Sequence, residues 1–154
     1  MPTSTIEAGV ATQIGTDLSA WTESGAVFDQ FGKASRGAKH LHYAIGTART
    51  TALEGTALGS GRQRSDHATL MRGRMVVRWA HALTADGQKA AYRTALGEHA
   101  KLVRTVKRAA TTLSGVDGIV FVESNRRSDA GSGEFLIFDD AFDVYYRDDL
   151  SVSP

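Results

Sequence analysis

Arg72-Gly-Arg-Met-Val-Val-Arg-Trp-Ala-His-Ala-Leu83 runs into Thr84-Ala-Asp-Gly87 and then into Gln88-Lys-Ala-Ala-Tyr-Arg-Thr-Ala-Leu96. The first piece has the period of two that belongs to a strand. Met75, Val77, Trp79, His81 and Leu83 share one face, and Arg74, Val76, Arg78, Ala80 and Ala82 share the other. The second piece is a turn, with Thr84 or Asp86 placed to cap a helix. The third changes period. Tyr92, Ala95, Leu96, His99, Leu102, Val103, Val106, Ala110 and Leu113 recur at spacings of three and four. That spacing predicts one long helix from about Asp86 to Leu113, stopped at Gly115. Lys101, Arg104, Lys107 and Arg108 fall in its later turns, where cations suit the helix dipole.

On the C-terminal side, Ile119 to Glu123 reads as a strand after a Val116-Asp-Gly118 turn, and Asn125 to Gly133 reads as a polar turn. Glu134 to Arg147 is a second, longer strand. Leu136, Phe138, Phe142, Val144 and Tyr146 point one way, with Asp140 interrupting. Phe135, Ile137, Asp139, Ala141, Asp143, Tyr145 and Arg147 point the other way. Adjacent Asp139 and Asp140 suggest a bulge.

On the N-terminal side, Ser4 and Glu7 have capping-box spacing ahead of a stripe of Ile6, Val10, Ile14 and Leu18, which predicts a helix to about Ala20–Trp21. Ala26 to Phe31 reads as a short strand. Leu41, Tyr43 and Ile45 alternate with His40, His42 and Ala44 as a second one. Gly46 to Gly61 has almost no large apolar residue and reads as a long loop.

The expected class is therefore α+β: a mixed or antiparallel sheet packed against an N-terminal helix and one long central helix. The order is α-β-β-(loop)-β-α-β-β. Residues 1–150 are read as one domain and 151–154 as a short tail. The expected core includes Trp79, Leu96, Val103, Phe121, Phe138 and Val144.

Composition excludes several functions. The 154 residues contain no cysteine, which removes disulfide scaffolds, thiol nucleophiles and iron–sulfur sites. No stretch free of charged residues reaches the ~20 residues of a membrane-spanning helix, and no basic-then-apolar leader is visible. Assembly in a cytoplasm is the expectation. The net charge of +1 hides a segregation. Residues 1–30 carry four acids and no Lys or Arg. Residues 31–108 carry fifteen Lys or Arg against four acids, and residues 109–154 carry three Arg against nine acids. The expectation is that the ends neutralise the middle, within one subunit or between neighbours.

Motifs for catalysis are lacking. Gly55-Thr-Ala-Leu-Gly59-Ser-Gly61 is glycine-rich, but no Gly-Lys-Ser/Thr follows. No serine lies in a nucleophile elbow. His40 and His42 could share a strand face but lack an obvious third metal ligand, so a solvated edge is expected. His99 reads as a satisfied, partly buried histidine. Asp139, Asp140, Asp143, Asp148 and Asp149 could hold a cation with oxygen ligands, but a charged edge facing a basic neighbour fits the segregation better. No enzyme, cofactor or metal is expected.

The strand Arg74–Leu83 with its turn, the helix opening at Gln88, and the closing Phe142-Asp-Val-Tyr-Tyr-Arg147 together resemble the tail-terminator proteins of long-tailed bacteriophages, the lambda U-like group. The resemblance covers residues 1–150 in element order and about 70–150 in pattern. It implies a non-enzymatic virion protein of the tail or neck. Such a protein forms a homo-oligomeric, hexameric ring that caps the tail tube, ends tube polymerisation and presents a surface for head–tail joining. The implied partners are other copies of itself, the tail-tube protein and a head–tail connector or completion protein, with DNA passing through the ring without specific binding. Closed rings use heterologous contacts. The candidate contacts are Arg62, Arg64, Arg72 and Arg74 against Asp139, Asp140, Asp143, Asp148 and Asp149. Another head–tail completion or tail-tube-like ring protein is the near alternative. A nucleic-acid-binding module using Arg72, Arg74, Arg78, Lys101, Arg104, Lys107 and Arg108 is the distant one.

Overall fold

The computed structural model describes residues 3–25, 28–30, 41–53, 68–82, 88–127 and 135–149. The elements are helix α1 (Thr3–Asp17), strand β1 (Trp21–Glu23), a single 3-10 turn (Phe28–Gln30), β2 (Leu41–Ala52), β3 (Ala68–Ala82), helix α2 (Gln88–Ala109), β4 (Val116–Arg127) and β5 (Phe135–Asp149). The strands form one mixed sheet in the order β1-β2-β3-β5-β4. Only β1 and β2 run parallel; every other pair is antiparallel. Both helices lie on one face of the sheet, so the fold is α+β. Among the described residues no helix is long and apolar enough to cross a membrane.

The alternation seen in β3 sets the architecture. Met71, Met75, Val77 and Trp79 are buried beneath the helices. The register of β3 against β5 is unbroken from Ala68↔Asp149 to Ala82↔Phe135. Trp79 therefore sits opposite Phe138 and stacks on it, with ring centroids 4.5 Å apart and planes at 17°. Trp21 closes the other side at 5.0 Å. Ile6, Val10 and Ile14 of α1 bury into the same core at the predicted spacing of four.

Several sequence expectations need correction. Asp139–Asp140 makes no bulge. The irregularities of this hairpin lie in β4, between Val116 and Gly118 and between Phe121 and Glu123. Two adjacent carboxylates are tolerated in β5 because they point to opposite faces and each has its own partners. The segment after Gly46 is not a loop until past Ala52, since it pairs with β3 down to Ala52↔Met71. Arg49, Thr50 and Thr51 are exposed strand residues whose order comes from that pairing, not from apolar burial. Residues 54–61 lie outside the described residues. The strand read over Ala26–Phe31 is a 3-10 turn where described, and the first strand is Trp21–Glu23 instead. Phe28 packs on Gly46, where a Cβ would come within 2.6 Å of its ring. The Val116-Asp-Gly118 turn and the start of the Asn125 turn are both strand, because β4 runs to Arg127. α1 ends at Asp17, and Glu7 accepts a hydrogen bond from Thr47 Oγ1 rather than closing a capping box. Gly115 does hold a left-handed backbone, at φ 87°, in the turn that precedes β4.

The most consequential correction is the buried face of α2. Ala91, Ala95, Leu102, Val106 and Ala109 face the sheet, while Leu96 is 46% exposed and Tyr92 is also exposed. Ala95, Leu102 and Val106 of the expected stripe are buried as read, and only Tyr92 and Leu96 fall outside it, since residues flanking the seam on a helix turn ~100° away from it. Alanines carry little hydropathy contrast, yet they let the helix approach the sheet closely. Trp79, Phe138 and Val144 are buried as expected, whereas Val103 and Phe121 are only partly buried.

Phe142→Ala should therefore cost ~3–5 kcal/mol in urea unfolding, whereas Leu96→Ala should stay within about 0.5 kcal/mol of wild type. A second test uses Tyr43, whose hydroxyl donates to the Ala11 carbonyl at 3.3 Å. Burial first, and Glu23 second, push its pKa from 10.0 up to about 12. The folded value lies above the unfolded one, so the contribution is complete below pH 10 and is lost as pH rises through 12. Tyr43→Phe should flatten the alkaline fall in stability over that range. Tyr146, raised by its burial and by Asp148, retains part of the fall.

Candidate functional site

Asp139 and Asp140 divide the molecule between them. On the helix-free face, Asp139 takes a two-point contact from Arg78, with Nε at 2.7 Å and an Nη at 3.0 Å. The Arg78 guanidinium also lies 4.2 Å over the Phe28 ring. Four residues along the strands, on the same face, Arg74 Nε meets Asp143 at 2.8 Å. That hydrogen bond raises the Arg74 pKa above its ordinary value. Arg72 stands opposite Tyr145 on the same face. Among the described residues, Lys/Arg–carboxylate pairs thus join the basic middle to both acidic ends within one chain, including Arg108–Asp17 at 3.6 Å. The two strand pairs are largely shielded, at 26% and 16% exposure for Arg74 and Asp143 and 15% and 24% for Arg78 and Asp139, whereas Arg108 is open at 68% and its pair contributes only ~0–1 kcal/mol.

These positions correct the inter-subunit grouping. Arg74 and Asp143 bind each other, Asp139 binds Arg78, and Asp140 is fully buried and reaches no neighbour. Asp148 is partly exposed near the end of β5. Arg62, Arg64 and the side chain of Asp149 lie outside the described residues. The basic residues grouped for nucleic acid are also separated. Arg72, Arg74 and Arg78 occupy the helix-free face, whereas Lys101, Arg104, Lys107 and Arg108 occupy the outer side of α2, across the sheet. His42 is no solvated edge. It is buried in an interior strand with its ring edge-on to Phe135 at 5.3 Å. His40 lies outside the described residues. Among the described residues, no group of three or more His, Cys, Asp or Glu gathers to hold a metal.

On the helix face Asp140 is at 0% exposure. Oδ2 accepts from Trp79 Nε1 at 2.8 Å and lies 2.9 Å from His99 Nδ1. Among the described residues Oδ1 has no hydrogen-bond partner. Nδ1 is thus the ring nitrogen of His99 engaged by Asp140, and Nε2 is the other. The His99 side chain is 23% exposed and its ring meets Phe121 edge-on. It lines a cleft of about 340 Å³ with Tyr92, Leu96, Ser124, Arg126 and Phe138. The Arg126 guanidinium lies 5.7 Å from the Tyr92 ring centre. The sequence puts Asp140 in the apolar stripe of its strand, as an interruption, and His99 on the inner stripe of its helix; two polar residues facing one core need each other.

No family model matches the chain, and no curated protein matches it.

Asp140→Ala should cost about 3 kcal/mol or more in urea unfolding, because it strands the buried Trp79 indole N–H and removes the acceptor for His99. The neighbouring Asp139→Ala should cost about 1 kcal/mol, with the difference from wild type shrinking in 1 M salt.

Proposed function

We propose that the protein is a non-enzymatic, ring-forming subunit of the tail-terminator kind, which caps a phage tail tube and offers a joining surface to the head. The observation that carries the reading is the outer edge of β4. This twelve-residue strand closes the sheet order with no further strand beside it among the described residues. It exposes Val120 at 52% and Val122 at 40%. A long edge with bare valines suits a neighbour's surface better than water. The bulges at Asp117 and Val122 interrupt the edge, so it is poorly suited to unlimited strand stacking. A contact between β4 and a different patch of the next copy is heterologous, and such contacts close into rings when the rotation permits. The internal pairing of Arg74, Arg78 and Arg108 leaves less free positive charge for binding DNA, as suits a ring that DNA must traverse.

Native mass spectrometry across a concentration series is expected to show monomer giving way to one closed species of fixed subunit number, sixfold on this reading. Val120→Glu combined with Val122→Glu should hold the protein monomeric with an unchanged thermal midpoint. Immunogold labelling of phage particles should place the protein at the head-proximal end of the tail. Monomer at every concentration together with label elsewhere on the particle would overturn the proposal.

A further inference from the structure

We propose that the cleft between α2 and β4 binds a small organic anion with a flat apolar body, with Arg126 and His99 as its polar contacts. This inference stands apart from the ring reading, because the cleft is built on the helix side of one chain and needs no second copy.

The chemistry of the lining carries the proposal. The six residues comprise an arginine, a histidine, a serine and a tyrosine, with Leu96 and Phe138 completing the wall. They supply donors in number and no carboxylate. Asp140 is fully buried behind His99 and already engaged by two donors. Among the described residues Arg126 makes no ion pair; its contact is the Tyr92 ring. A guanidinium stacked on an aromatic ring keeps its donor edge free for a carboxylate or phosphate. His99 is held by its Nδ1 contact with Asp140, so Nε2 is presented without the usual rotamer freedom. A histidine needed only to brace the helix would not require an arginine, a serine and exposed apolar side chains at the same opening. Tyr92 and Leu96, two of the chain's large exposed apolar side chains, fall together on this wall. They make it suited to a flat, water-averse body. The volume of about 340 Å³ lies at the small end of ligand sites, which favours a single-ring ligand.

Benzoate is the probe that combines both features. Benzyl alcohol keeps the ring without the charge, and inorganic phosphate keeps charge without the ring. In 15N-labelled protein, the Trp79 indole N–H and the His99 ring nitrogens report on the cleft. Benzoate should shift them saturably, and benzyl alcohol and phosphate should each bind at least about tenfold more weakly. Arg126→Gln, at an exposed position, should weaken benzoate by about tenfold and leave benzyl alcohol unchanged. The proposal is overturned if benzoate gives no saturable shift by ~10 mM. It is equally overturned if the shifts fall outside the cleft, or if Arg126→Gln binds benzoate as wild type does. Phosphate binding as tightly as benzoate would show a general anion surface and would also overturn it. A result against this cleft leaves the oligomer measurements untouched, so the two readings fail separately.

Discussion

A carboxylate with no exposure to water sits at the centre of this fold, and most of the arrangement follows from holding it there. Burying Asp140 without donors would cost several kcal/mol. Trp79 and His99 supply those donors from β3 and α2, both to the same oxygen. The indole must then lie where its ring also stacks on Phe138 and meets Trp21. The imidazole must lie within hydrogen-bond reach of β5, which brings α2 close to the sheet. Ala91, Ala95 and Ala109 on the buried side of α2 permit that approach.

The alternation of β5 then sends Asp139 to the other face, where Arg78 receives it and covers Phe28. One dipeptide thus organises both sides of the sheet. The helix side holds the core and the cleft. The helix-free side carries a ladder of ion pairs that links the basic middle of the chain to its acidic end. The charge segregation is largely a record of this folding, with the strongly basic β3 lying beside the acidic β5. Outside that pairing, the described surface includes the exposed Val120 and Val122 of β4 and the opening beside His99.

Much of this was legible in the sequence. The strict alternations in β3 and β5 gave the correct inner faces, and the four-residue spacing in α1 gave its buried side. These signals are strong because large apolar and charged residues oppose each other there. The signal failed where contrast is low. The stripe of α2 faces the core from Ala95 through Leu102 and Val106 to Leu113, but the first turns bury only alanines, so the larger Tyr92 and Leu96 were counted into the seam though they are exposed. The outer half of β2 is threonine, alanine and one arginine, so only its pairing with β3 reveals a strand. The site was half visible. His99 and Asp140 each stood out as polar positions on inner faces, but their meeting depends on three-dimensional packing between elements 41 positions apart. Arg126 was hidden in a segment read as a turn, and its place beside Tyr92 depends on β4 extending to Arg127.

The central claim is that His99 and Asp140 are coupled partners and not incidental neighbours. A double-mutant cycle with His99→Ala and Asp140→Leu, followed by urea unfolding, tests it directly. The stranded Trp79 indole is common to both variants that lack Asp140 and cancels in the cycle. A coupling of ~1.5–3 kcal/mol is the predicted result. Additive effects, agreeing within about 0.5 kcal/mol, would contradict the account.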